Sequence, residues 1–166
     1  MDRIWSPWRM AYIESHAGGE PGSGPDTCVF CALLSEGGEE RRVLEQRDLA
    51  FVTLAKYPYN PGHLLVLPTR HVGELEEIEP GEATEIFELV QRGVAVLRET
   101  SQPRGFNVGL NLGRTAGAGI PEHLHWHVVP RWGGDTNFMP VIGDTRVLPE
   151  LLEQTYQRLA PRFAGT

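Results

Sequence analysis

A chain of 166 residues with 40% hydrophobic content can bury a real core and suits one domain with tails. Its formal charge of −7 excludes a binder of nucleic-acid backbones, which needs a basic footprint. No apolar stretch approaches the roughly 20 residues of a membrane span, and Met1 to Trp8 lacks the apolar middle of a signal peptide.

Taken in order, residues 3–13 carry Trp5, Trp8, Tyr12 and two isoleucines, too apolar for a fraying terminus, so this arm is expected to dock. Four glycines and two prolines between His16 and Thr27 form a flexible link. Residues 1–27 are read as arm and link, and 28–166 as the domain. Cys28 and Cys31 form a C-x-x-C, either half a zinc site, a redox pair or coincidence. The chain has two cysteines and no secretion signal, so a disulfide framework is not expected and the cytoplasm is the expected location.

Val43 to Gln46 and Leu49 to Leu54 read as two strands around an Arg47-Asp48 turn. Tyr57 to Gly62 is a turn-rich loop, and the apolar run from His63 to Leu67 is a central strand whose first side chain faces the loop's mouth. His63 is either a strand-capping group bonded to the loop backbone or a functional imidazole. From Pro80 to Thr100, Ile86, Phe87, Val90, Val94 and Leu97 recur at helical spacing, with Glu82 and Glu85 early and Arg92 and Arg98 late, as an amphipathic helix requires. Gly105 to Leu112 is another strand. It leads into Gly113 to Ile120, whose glycines allow backbone N–H groups close to phosphate oxygens.

In His123-Leu124-His125-Trp126-His127-Val128-Val129-Pro130-Arg131, imidazoles alternate with large apolar groups. In a strand the three rings share one face, about 6.6 Å apart, which suits groups set along a phosphate chain. Metal binding by three histidines, or three ordinary surface histidines, are the blander readings. Half of the six histidines falling within five positions favours catalysis. A neutral imidazole can attack phosphorus when its other nitrogen is fixed as a donor. After Trp132 a loop runs to Asp144, and a last helix is expected from about Val147 to Leu159, with Pro149 in its first turn and Leu151, Leu152, Tyr156 and Leu159 on its buried side.

The alternating run His123 to Val129, with Asn60-Pro61-Gly62-His63-Leu64 as its partner strand, resembles the histidine triad family of nucleotide hydrolases and transferases. The Trp5-Ser6-Pro7-Trp8-Arg9 start and Arg131-Trp132-Gly133-Gly134-Asp135 are similar to a bacterial branch of diadenosine tetraphosphate phosphorylases and hydrolases. The resemblance implies an α+β fold: an antiparallel sheet of about five strands, one long helix and a C-terminal helix. It implies His125 as the nucleophile at the α-phosphorus of an adenylyl substrate, with His127 and His63 orienting it, one of them protonated. Asn111 and the Gly117-Ala118-Gly119 loop would touch phosphate or ribose. By position, Phe51, Leu54 and the Tyr57 region are expected to sandwich the base, and Trp132 to border the far nucleotide. Cys28, Cys31, His71 and His123 would hold a structural Zn²⁺, a Mg²⁺ would accompany the substrate, and a homodimer or larger oligomer is implied.

Two positions depart from the family pattern. Ala55 stands where relatives carry a ribose-holding Asn, and Ala118 and Gly119 stand where many place Ser, Thr or Gln against a phosphate. These departures leave a phosphoramidate or adenylyl-sulfate as alternative substrates, and a zinc-containing nucleotide-binding module without turnover as the contrasting class.

Overall fold

The computed structural model describes residues 24–35, 42–135 and 148–164. The arm bearing Trp5 and Trp8, most of the expected link, and the expected helix start at Val147 lie outside the described residues. A 3-10 turn at Pro25–Thr27 leads into α1 (Val29–Ser35). The strands are β1 (Val43–Gln46), β2 (Ala50–Leu54), β3 (Leu64–Pro68), β4 (Gly105–Leu110) and β5 (Trp126–Arg131). The long helix α2 spans Pro80–Ser101 between β3 and β4, and α3 (Leu152–Phe163) ends the described chain. The sheet order is β1-β2-β3-β5-β4, every neighbour antiparallel, which is the α+β architecture expected.

Period-two alternation sorts the sheet into two cores. Ala50, Val52 and Leu54 of β2, Leu64 and Val66 of β3, and Val128 of β5 join Ile86, Leu89, Val90 and Leu97 of α2 and Leu159 and Phe163 of α3. Phe51, Leu65 and Leu67 point the other way, toward Cys28 and Phe30 around α1. Arg92 fastens the helical side, pairing with Glu45 of β1 and donating to the Phe163 carbonyl at 2.9 Å, a cation at a helix C-terminus. Glu82, 4% exposed, accepts the Glu79 N–H at 2.9 Å and a forked pair from Arg70. The Arg70 guanidinium holds its carboxyl below the usual range.

Three expectations need correction. Phe87 is 63% exposed, because the buried stripe of α2 runs through Ile86, Leu89, Val90, Gly93 and Leu97 and turns Phe87 to solvent. The last helix starts at Leu152 and continues to Phe163; Pro149 precedes it and Leu151 is 69% exposed, since Gln154 Oε1 takes the Leu151 N–H at 3.1 Å and sets the start there. The histidine strand begins at Trp126, not His123: Leu124 N–H goes to Val72 O at 2.8 Å, outside the ladder. No helix among the described residues is long and apolar enough to cross a membrane.

Candidate active site and metal centre

β5, the segment leading into it and the loop before β3 bring four imidazoles together. His63 closes the Pro61-Gly62 turn, its N–H donating to Asn60 O at 3.1 Å. Gly62 has φ +82, and a Cβ there would stand 2.9 Å from Leu97 Cδ2 in the core, so only glycine suits this turn. Leu65 pairs with His127 across the β3–β5 ladder, which sets His63 beside the histidine run. The ring centroids of His63 and His127, and of His127 and His125, are each 5.1 Å apart. Phe30 packs at 5.1 Å from His125 and 5.6 Å from His123.

The hydrogen bonds fix the tautomers, because a carbonyl can only accept and an amide N–H can only donate. His125 Nδ1 lies 2.8 Å from His123 O, so Nδ1 carries the proton and Nε2 keeps its lone pair. His63 Nδ1 accepts the Tyr59 N–H at 3.1 Å, so its proton is on Nε2, 2.9 Å from His127 Nδ1. His127 therefore carries its proton on Nε2, an atom buried without a partner among the described residues. Burial pushes His127 down to about 4, with His125 beside it adding to the shift, and lowers His125 as well. At neutral pH the site holds a neutral imidazole with a free lone pair next to a neutral N–H donor.

At the other end of the run, Cys28, Cys31, His71 and His123 offer one ligand atom each, all within 4.8 Å of one another. Cys28 Sγ to His123 Nδ1 is 3.4 Å, Cys31 Sγ to His71 Nδ1 is 3.4 Å, and Cys31 Sγ to His123 Nδ1 is 3.6 Å. These separations match the edges of a tetrahedron with Zn–S of about 2.3 Å and Zn–N of about 2.0 Å. His123 donates Nε2–H to Pro68 O at 3.0 Å, leaving the Nδ1 lone pair aimed at the cysteines. Burial, with Cys28 beside it, pushes the Cys31 thiol up to about 11, a cost that a bound cation would reverse. The donor set fits Zn²⁺.

The remaining expected site residues are less converged. Asn111 donates to Gly117 O at 3.4 Å, tying strand end to glycine loop, and Gly117 has φ 95. Ala118 is buried and bonds back to Gly113 O, while Gly119 is half-buried. Trp132 donates its indole N–H to Ser101 O at 3.2 Å, at the end of α2. Phe51 and Leu54 do not flank one base: both are fully buried, and they face opposite sides of the sheet. Tyr57 is 75% exposed. Tyr59, which sequence reasoning missed, instead stacks on His63 at 4.9 Å and 18° and on His127 at 5.7 Å and 28°. Arg131 and Asp135, also missed, form a forked ion pair at 2.6 and 2.8 Å that holds the Asp135 carboxyl well below the usual range.

A family model described as HIT domain matches residues 36–134. An AP-4-A phosphorylase of Mycobacterium tuberculosis (strain H37Rv) is 43% identical over 166 residues, 99% of this chain and 85% of that protein. The asymmetrical bis(5'-nucleosyl)-tetraphosphatase of Schizosaccharomyces pombe is 37% identical over 86 residues, 52% of this chain and 46% of that protein. Among solved structures, a Zn-bound histidine triad family protein from Mycobacterium smegmatis superposes with a TM-score of 0.67 at 27% identity, covering 85% of this chain and 96% of that one.

Proposed function

The chain belongs to the HIT domain family, and from that premise we propose that it is a nucleotidyltransferase that cleaves diadenosine tetraphosphate through a nucleotidyl-histidine, with inorganic phosphate as the acceptor. The observation that carries this reading is the pair of fixed tautomers: a lone pair on His125 Nε2 beside an unpartnered N–H on His127.

His125 Nε2 attacks the α-phosphorus, forming an N–P bond while the bond from that phosphorus to the bridging oxygen breaks and its electron pair leaves with ATP. The His123 carbonyl, accepting the Nδ1–H, stabilises the positive charge that develops on the ring. His127 donates Nε2–H toward the departing oxygen, where a preformed donor contributes most. Phosphate then attacks the same phosphorus, releasing ADP and freeing His125; water in its place would release AMP. The neighbouring Asn111 and the glycine loop would hold phosphate or ribose, with Ala118 and Gly119 offering only backbone. Zn²⁺ on Cys28, Cys31, His71 and His123, with all four positions filled by protein, would act structurally. A homodimer paired along the open β4 edge, where Val108 is 49% exposed, belongs to the same reading.

Phosphate is favoured as acceptor because the 43% identical relative spans nearly the whole chain and is called a phosphorylase. Incubating the protein with diadenosine tetraphosphate, with and without inorganic phosphate, tests this. ADP with ATP formed only when phosphate is present is the expected result. AMP with ATP at equal rates in both would make the protein a hydrolase, and no turnover in either would remove the reading.

A further inference from the structure

Outside the imidazoles, a polar cluster joins three segments far apart in sequence. Asn60 Nδ2 donates to Pro130 O at 2.9 Å and to Asp135 Oδ2 at 2.8 Å. The same carboxylate accepts Arg131 Nε at 2.6 Å, Arg131 Nη2 at 2.8 Å and the Trp132 N–H at 3.1 Å. Arg131 in turn donates Nη1 to Asn107 Oδ1 on β4 at 2.8 Å. The β3–β5 ladder pairs Leu64 with Val128, so the Asn60 amide carries the pairing beyond the end of the ladder, where the chain turns through Gly62.

What this cluster fixes is the loop from Tyr59 to His63. Asn60 O receives the His63 N–H, and the Tyr59 N–H is aimed at His63 Nδ1. The Tyr59 N–H, given to His63 Nδ1, sets the direction of the His63–His127 hydrogen bond. Were the loop to drift, His63 could take its proton on Nδ1 and accept from His127 Nδ1–H instead. The 2.9 Å contact would survive with its polarity reversed, and His127 would turn a lone pair, not a proton, toward the substrate's oxygens.

We propose that Asn60 and Asp135, anchored by Arg131, are positioning residues that hold the Tyr59–His63 turn and thereby set the polarity of the His63–His127 hydrogen bond. This rests on the reading of His127 as donor to the leaving oxygen. None of the three needs to touch substrate. The carboxylate is required as well as the amide: an Asn at position 135 would set its NH₂ group against either the Arg131 fork or the Asn60 amide.

The test is side-chain nitrogen NMR of the full chain, which distinguishes Nδ1–H from Nε2–H in each ring, combined with steady-state kinetics. In the native protein His63 and His127 are expected as Nε2–H and His125 as Nδ1–H. In Asn60→Ala and Asp135→Asn, His63 and His127 should become mixtures while His125 stays Nδ1–H. Turnover number should fall roughly tenfold or more with KM changed less than about threefold, as loss of one donor in the transition state requires. Asn60→Ala removes only a half-buried amide and carries the test if Asp135→Asn does not fold. Unchanged His63 and His127 tautomers in a folded Asn60→Ala protein overturn the proposal, as does a loss confined to KM. A native protein without turnover would remove the functional reading, and the tautomer shift could still be read.

Discussion

The Nδ1–H of His125 donates to the carbonyl of His123 at 2.8 Å, so the imidazole we propose as nucleophile is oriented by the backbone of a residue that faces the cysteines. The Cys/His cluster and the proposed nucleophile are two residues apart on one strand approach. Disturbing either is expected to be felt by the other, with different signatures.

Replacing the attacking group separates chemistry from binding. His125→Ala should lower turnover by at least about three orders of magnitude, the usual consequence of removing a covalent nucleophile. Nucleotide affinity measured by calorimetry should change only a few-fold. Acid quench of the native protein with labelled substrate should trap label on His125; an adduct on any other side chain would contradict the mechanism.

Removing the metal should act on stability first. Purified protein is expected to contain about one zinc per chain, as four protein donors imply. Cys28→Ala should lose it along with several degrees of Tm. Strong chelation should also slow adenylylation of His125, because His123 is the shared anchor. Metal analysis of purified protein checks the first point; a metal-free protein with native Tm would rule the site out.

Acid should weaken the fold before it reaches ordinary carboxylate titration. In the unfolded chain histidines take protons near pH 6.5, whereas burial keeps His127 neutral down to about 4. The unfolded state thus binds more protons between these values. Stability from the neutral ring is fully present above about pH 6.5 and is lost as pH falls toward 4, on the order of 3 kcal/mol. Calorimetry on metal-free protein from pH 7.5 to 4.5 should show this slope, and His127→Gln should remove part of it, because burial lowers His123 and His125 as well. For the same reason the acid limb of single-turnover adenylylation should lie below pH 6.5, since burial also lowers His125.

Gly62→Ala combines a positive φ with a Cβ 2.9 Å from Leu97 Cδ2, and Leu97 is fully buried. The cost is expected at about 1–3 kcal/mol, read as a lower denaturant midpoint. Turnover should fall with it, because the strained turn carries His63. A variant as stable and active as the native chain would show the turn to be less constrained than its geometry implies.

Alternation in the sequence made the histidine face legible, and the structure keeps His125 and His127 on the side opposite Trp126 and Val128. What alternation cannot show is where a ladder begins. His123 and Leu124 are diverted to Pro68 and Val72, contacts made at sequence distances of about fifty residues. The C-x-x-C left half a zinc site, a redox pair and coincidence open, while His71 and His123 came from family resemblance, since no spacing rule links four donors spread over three segments. Tyr59 and the Asn60–Asp135 contact left no periodic signal, because loops have none and the contact spans 75 residues. Phe87 misled because its neighbour Ile86 claims the buried side one residue earlier.

The two-sided sheet makes residue parity along β5 a guide to engineering. Even positions 126 and 128 look toward α2, and odd positions 127 and 129 look away from it. Randomising the even set should return variants that differ in half-life and share one substrate profile. His127 has to be held fixed, because its loss removes the proposed donor, and Val129, 6% exposed, should behave like the even set, so half-life can be tuned along this strand without touching the odd-position imidazole.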